Sequence, residues 1–218
     1  MKLMKLTSLL IILIFNQIVY AEEIVVLSKN STLENVSLGD WGGKWWQWAF
    51  QFDEIDSPVA DLTGRNCSNG QVGNVWFLAG SYSTNPIVRK CEIPKGKTLL
   101  FPIINSVYLS TKEHPITCQD AVTYAKQMMQ PPSNLYLKIN GKVIADPFIH
   151  REASTNCFDP YELFAQVNKL NKVPPGFPAA SDGYWIAIKP LPAGKYTLSF
   201  GGQVPSFRQL ITYELTVN

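Results

Sequence analysis

The sequence predicts a mostly β fold, a β-sandwich or jelly-roll-like domain with two or three short helices, including a Trp-rich N-terminal helix packed on the sheets. Three patterns lead there. In the last third, Tyr196, Leu198 and Phe200, and then Ile211, Tyr213, Leu215 and Val217, recur at period two, the repeat of a strand with one buried face. Earlier apolar runs are short and bounded by Gly and Pro, and Asn140-Gly141 separates two of them as a tight hairpin turn would. Near the start, Trp41, Trp45, Trp48 and Phe52 fall at i, i+4, i+7 and i+11, one face of a helix.

Taken in order, residues 1–21 have the layout of a secretory signal peptide. Lys2 and Lys5 precede an unbroken apolar core over residues 9–15, and Val19-Tyr20-Ala21 meets the small-x-small rule for cleavage. A membrane anchor needs an apolar run of about 20 residues, and Asn16 and Gln17 interrupt this one. The expectation is therefore a secreted protein, extracellular or periplasmic, with no transmembrane anchor after cleavage. Residues 22–218 are expected to form one disulfide-stapled domain, long enough to bury a substantial core. The whole chain has 19 Lys and Arg against 17 Asp and Glu, so loss of the two leader lysines leaves the charges balanced. Without a basic cluster, nucleic acid and anionic membranes are poor partners.

Cys67, Cys91, Cys118 and Cys157 in a chain addressed to an oxidising compartment imply disulfides, with three pairings open. Sequential pairing is expected, because Cys67 and Cys91 flank the apolar run at 75–79, which can bring them together. Each bridge would contribute about 3–4 kcal/mol through loop closure. No C-x-x-C pair occurs and His114 and His150 stand apart, so no metal site and no cofactor are expected.

Residues 24–27 suggest a first strand. Ser37 and Asp40 form an S-x-x-D capping pattern ahead of the Trp-rich helix. Gly42 and Gly43 oppose that helix by about 1 kcal/mol each, whereas burying one indole (~200 Å² at ~25 cal/mol per Å²) offers up to about 5 kcal/mol. The regular helix is expected to begin after Gly43. Residues 75–79 form an apolar run typical of a strand covered on both faces, and residues 97–104 form another, in which Pro102 demands an edge or a bulge. Thr117 and Asp120 cap a second helix, with Cys118, Ala121, Val122, Ala125 and Met128 or Met129 on its buried face, and Pro131-Pro132 stop it. Asp159 to Glu162 resembles a capped start to a third, short helix. Gly201-Gly202 reads as a bend between two strands.

Aromatic rings on a secreted β-sandwich can stack on sugar rings while amides bind hydroxyls. Trp45, Trp46, Gln47 and Gln51 have that chemistry and are the candidate ligand-binding residues. Helical spacing assigns Trp41, Trp45 and Trp48 to the core, whereas Trp46, about 100° round from Trp45, is expected at a rim. Asp53, Glu54 and Asp56 match neither a glycosidase pair, which needs carboxylates facing across ~5–9.5 Å, nor a calcium-loop spacing. They read as a solvated helix end. There is no G-x-S-x-G elbow, and disulfide-bonded cysteines cannot act as nucleophiles. His150-Arg151-Glu152 is the one cluster with acid–base potential, so no catalytic residue is assigned.

Several stretches together resemble a group of secreted bacterial proteins without an assigned activity. They are Trp45-Trp46-Gln47-Trp48, the segment from Cys67 through Gln71-Val72-Gly73-Asn74-Val75-Trp76-Phe77-Leu78-Ala79-Gly80, Arg89-Lys90-Cys91-Glu92-Ile93-Pro94-Lys95-Gly96-Lys97, Asp182-Gly183-Tyr184-Trp185, and Gly194-Lys195-Tyr196-Thr197. These span most of the mature chain, and the resemblance implies a shared secreted fold. The expected function is a non-enzymatic binding or interaction module for a glycan or cell-envelope component. The alternatives are a hydrolase using His150 with nearby carboxylates, or a structural surface protein assembling through the Pro102 strand and residues 22–36.

Overall fold

Two sheets and a Trp-rich helix divide the apolar residues into two clusters, one between the sheets and one beneath the helix. The computed structural model describes residues 23–170, 172 and 174–218. The expected leader, 1–21, and residue 22 lie outside them. β1 (Thr32–Leu33) and β2 (Val36–Ser37) precede α1 (Leu38–Phe50), followed by β3 (Val75–Phe77), β4 (Ile87–Ile93) and β5 (Thr98–Leu109). Then come α2 (Cys118–Met128), β6 (Ser133–Ile139), β7 (Lys142–Val143), a 3₁₀ turn at Pro147–Ile149 and β8 (Arg151–Ala153). The chain closes with α3 (Glu162–Val167), β9 (Ala179–Ile188), β10 (Gly194–Val204) and β11 (Phe207–Val217).

Of the two larger sheets, one has the order β3-β5-β9-β8 and the other β4-β11-β10-β6-β7, and β1 and β2 pair as a separate two-stranded ribbon. Pairing in them is antiparallel except for β3 with β5 and β4 with β11. The two sheets contribute side chains to one cluster, in which Phe101, Ile186 and Ile188 meet Leu137, Phe200, Ile211 and Leu215. Phe101 and Phe200 stand 4.5 Å apart, centroid to centroid, where the sheets face. The period-two face of β11 is buried as its pattern requires.

α1 covers the other side of the four-stranded sheet, where Trp41, Trp45 and Trp48 share a cluster with Leu100, Trp185 and Ala187. Ser37 caps it, its Oγ accepting from the Asp40 N–H at 3.0 Å. The helix begins at Leu38, not after Gly43, and its glycines explain why. A Cβ on Gly42 would lie 2.5 Å from the Trp185 ring, and one on Gly39 would lie 2.1 Å from the Ala153 carbonyl oxygen. The helix accepts poor helix formers because they let its backbone approach the sheet. It ends at Phe50, so Phe52 lies beyond it.

Other expectations hold in detail. Thr117 and Asp120 form a reciprocal capping box at the start of α2, which buries Ala121 and Ala125 with Met129 just past its end, whereas Cys118, expected on that face, is exposed and Val122 is half-buried. Asn140 and Gly141 both take positive φ, 50° and 77°, at the turn from β6 to β7. The disulfides are Cys67–Cys91 and Cys118–Cys157.

Three expectations need correction, and one resolves between its two alternatives. Residues 24–27 form no strand; Val26 makes an isolated bridge to Ile188. Of the edge or bulge that Pro102 demands, the structure has the bulge: its strand, β5, is interior between β3 and β9, and the pairing with β9 shifts register between Pro102 and Asn105. The buried Gln209 bridges this irregularity, its Nε2 donating to the carbonyls of Pro102 at 3.1 Å and Ile103 at 2.6 Å. Gly201 and Gly202 lie inside β10, where a Cβ on Gly201 would come within 2.2 Å of the Gln209 carbonyl oxygen. α3 starts at Glu162 without a side-chain cap, since Asp159 Oδ1 instead accepts from the Tyr161 N–H at 3.0 Å.

Arg89, 1% exposed, anchors the loop after α1. Its guanidinium donates to the carbonyls of Val59, Asp61, Ala79 and Gly80 at 2.7–3.1 Å. These bonds satisfy a buried cation and join that loop to β4.

Candidate functional site

All four tryptophans of α1 are buried, and each indole N–H meets a backbone carbonyl. Trp41 donates to Leu33 at 2.7 Å, Trp45 to Leu78 at 3.0 Å, Trp46 to Ser106 at 3.2 Å and Trp48 to Asn69 at 2.9 Å. Trp46, expected at a rim, is only 8% exposed. Its position round the helix is as inferred, but the β5 side of the sheet and Phe50, whose ring centroid lies 5.1 Å away, close over it. A stacking surface on Trp45 and Trp46 is therefore not open in this structure. Gln51 is buried against Gly70. Gln47 donates to the Asp159 carbonyl at 2.9 Å and to Glu162 Oε2 at 3.3 Å, and lines a small recess of ≈380 Å³.

These residues nevertheless back a surface feature. Just past the C-terminal end of α1, a cleft of ≈480 Å³ is walled by Phe50, Phe52, Tyr82, Tyr161, Phe164 and Pro174, with Asp53 and Glu54 at its edge. Its size falls in the usual range for small-ligand sites. Three segments supply it. The last turn of α1 and its following loop give Phe50 to Glu54, the turn after β3 gives Tyr82, and α3 with its flanks gives Tyr161, Phe164 and Pro174. The Phe50 and Tyr161 centroids are 5.5 Å apart, and Phe50 rests in turn on Trp46. A Cβ on Gly176 would lie 2.7 Å from the Tyr161 ring, and one on Gly70, at φ +61°, 2.6 Å from the Phe52 ring. Glycine is thus required behind two of the walls. Gln47 fixes the third segment by tying α1 to the start of α3.

Desolvation raises the pKa of Tyr82, with Tyr161 a lesser cause, so this phenol stays protonated at neutral pH. None of the described residues lining the cleft is basic, while the adjacent last turn of α1 has no basic residue to offset the partial negative charge of its C-terminal carbonyls. The cleft is thus aromatic and electronegative.

A larger concavity, ≈930 Å³, is lined by β4, β10 and β11, by Trp76 of β3 and by the loop carrying Cys67, and mixes Arg65, Lys90 and Lys195 with Glu92 and Glu214. Lys90 and Glu214 form an exposed ion pair there at 3.8 Å. Alternating solvated charges of both signs are the ordinary outward face of a sheet, so the aromatic cleft is the better candidate.

His150 is 4% exposed, and its Nδ1 is buried without a hydrogen-bond partner. Burial is the largest influence on it and holds its pKa below the ordinary histidine value; Glu152 and Asp146 oppose this, and Lys29 reinforces it. Neither ion pair among the described residues includes it. The histidine–carboxylate pair on which a hydrolase reading depends is not assembled. The carboxylate of Asp182 is instead taken by Arg151, 2.7 Å away. The assembly alternative loses its edge strand, since the Pro102 strand is interior. Among the described residues, no group of three or more His, Cys, Asp or Glu is placed to hold a metal ion, and no helix is long and apolar enough to cross a membrane.

No protein-family model and no curated protein matches the chain. Among solved structures, similarity is found to PbICP-C in complex with falcipain-2, at 13% identity over 67% of this chain and 100% of that one, with a TM-score of 0.30. It is also found to the solution structure of amebosin, at 8% identity over 60% of this chain and 89% of that one, with a TM-score of 0.21. At such scores neither likeness bears on fold or function.

The sequence missed the cleft because its walls come from separated segments. The available signal was a set of aromatic residues, Phe50, Tyr82, Tyr161 and Phe164, that belong to no core-facing period.

Proposed function

We propose that the protein is a secreted, non-enzymatic binding module for a glycan or cell-envelope component, with the aromatic cleft at the end of α1 as its binding site. The reading includes a β-sandwich for the two sheets, supported by their common core, and kinship with the secreted bacterial group that the motifs resemble. The observation that carries it is the contrast in exposure. The chain buries its four clustered tryptophans yet leaves Tyr82 58% exposed among half-buried rings. Aromatic side chains left at the mouth of a cleft contribute little to folding and much to stacking on a ligand.

Binding of the secreted protein to glycan arrays and purified envelope fractions tests this. Tyr82→Ala should weaken binding at least tenfold at unchanged helix and sheet content. Turnover on a hydrolase substrate panel that disappears in His150→Ala would overturn it.

A further inference from the structure

The cleft has a chemical bias that goes beyond a glycan platform. Its walls are neutral π faces, with the Phe50 and Tyr161 centroids 5.5 Å apart and Tyr82 lining the same cleft. Its edge carries Asp53 and Glu54, both exposed. One oxygen of Asp53 accepts from the Asp56 N–H at 3.2 Å, and no bond to the other is seen. The carbonyl end of α1 adds partial negative charge from the same direction. Aromatic faces, carboxylates and a helix C-terminus all favour positive charge, and the lining offers no cation to compete. An anion would meet the two carboxylates and find no basic residue in the lining. A primary ammonium ion would leave its water shell for rings that cannot replace those hydrogen bonds, whereas a methylated ammonium is weakly hydrated and has an apolar body to fill the cleft.

We propose that the cleft receives a methylated, preferably quaternary, ammonium group, held by cation–π contact with Phe50, Tyr82 and Tyr161 and steered by Asp53 and Glu54. This rests on the cleft being the binding site. The source is either a free small molecule or the headgroup of an envelope lipid, since both present the same cation.

Calorimetric titration of the intact protein with choline and with its neutral isostere 3,3-dimethyl-1-butanol is the test. Choline should bind at least tenfold more tightly. Tyr82→Ala should narrow the difference at least threefold, and the double variant Asp53→Asn, Glu54→Gln should weaken choline three- to tenfold while leaving the neutral isostere unchanged. Sedimentation with phosphatidylcholine vesicles, alongside choline binding, would point to a headgroup; choline binding without sedimentation would point to a free ligand, and both uphold the proposal. Equal binding of choline and the isostere would overturn the cationic specificity while leaving the cleft as a site. Absence of choline binding, with Tyr82-dependent glycan binding intact, would overturn the inference alone. Absence of both would remove the proposed function as well.

Discussion

α1 has two aromatic neighbourhoods with opposite fates. Along its length, Trp41, Trp45, Trp46 and Trp48 are 1–8% exposed and satisfy their N–H groups on backbone carbonyls. At and beyond its C-terminal end, Phe50, Phe52, Tyr161 and Phe164 are half-buried and Tyr82 is exposed. The residue chemistry is similar; the cover differs. The tryptophans lie over a sheet close enough to require Gly39 and Gly42, whereas of the other rings Phe50 and Phe52 touch the edge of that cluster and the rest are carried by α3 and loops. A ring becomes core where a second layer of regular structure lies opposite, and wall where the layer ends.

The most forceful way to break this comparison is to truncate one ring from each group. Trp45→Ala should cost about 3–5 kcal/mol, read as a large drop in the urea midpoint. Tyr82→Ala should cost less than about 1 kcal/mol while weakening ligand binding at least tenfold. Equal stability losses would show that the cleft rings are simply core. Gly42→Ala tests the close approach next. Alanine favours the helix by about 1 kcal/mol, but overpacking against Trp185 costs about 1–3 kcal/mol, so a net loss of stability with unchanged ligand affinity is expected. A stabilised variant would mean that the helix has room to spare. The smallest effect concerns pH on the tryptophan side, where the His150 carbonyl accepts from the Trp185 N–H at 3.0 Å. The folded His150 pKa lies below the unfolded value of about 6.5. Its contribution is therefore fully present above that pH, and it is lost as pH falls, because the unfolded chain takes up the proton first. Urea unfolding at pH 7.5 and 5.5 should show a smaller acid loss in His150→Gln than in the native protein. An identical loss in both would assign the pH dependence elsewhere.

Much of the scaffold was legible in the residues. Ser37 with Asp40, and Thr117 with Asp120, marked two helix starts; Asn140-Gly141 marked a hairpin; Ile211 to Val217 marked a one-sided strand. Each signal is local, fixed by the side-chain direction and hydrogen bonding of neighbours a few residues apart. The tryptophan face was legible for the same reason, and sequential cysteine pairing followed from one intervening strand.

Long-range placement was not. Periodicity put Trp46 a quarter-turn from the core face, but only the docked sheet and Phe50 decided that it is covered. Pro102 announced an irregular strand without saying that β5 lies in the middle of its sheet. Gly42 and Gly43 read as helix breakers until Trp185 and Phe158 were found against them. The sequence by itself therefore determined the main elements, the caps of α1 and α2, and the apolar faces of α1 and β11. Only the tertiary structure decided which aromatic rings close the core and which line a cleft, because exposure depends on what the fold brings opposite a residue from distant parts of the chain.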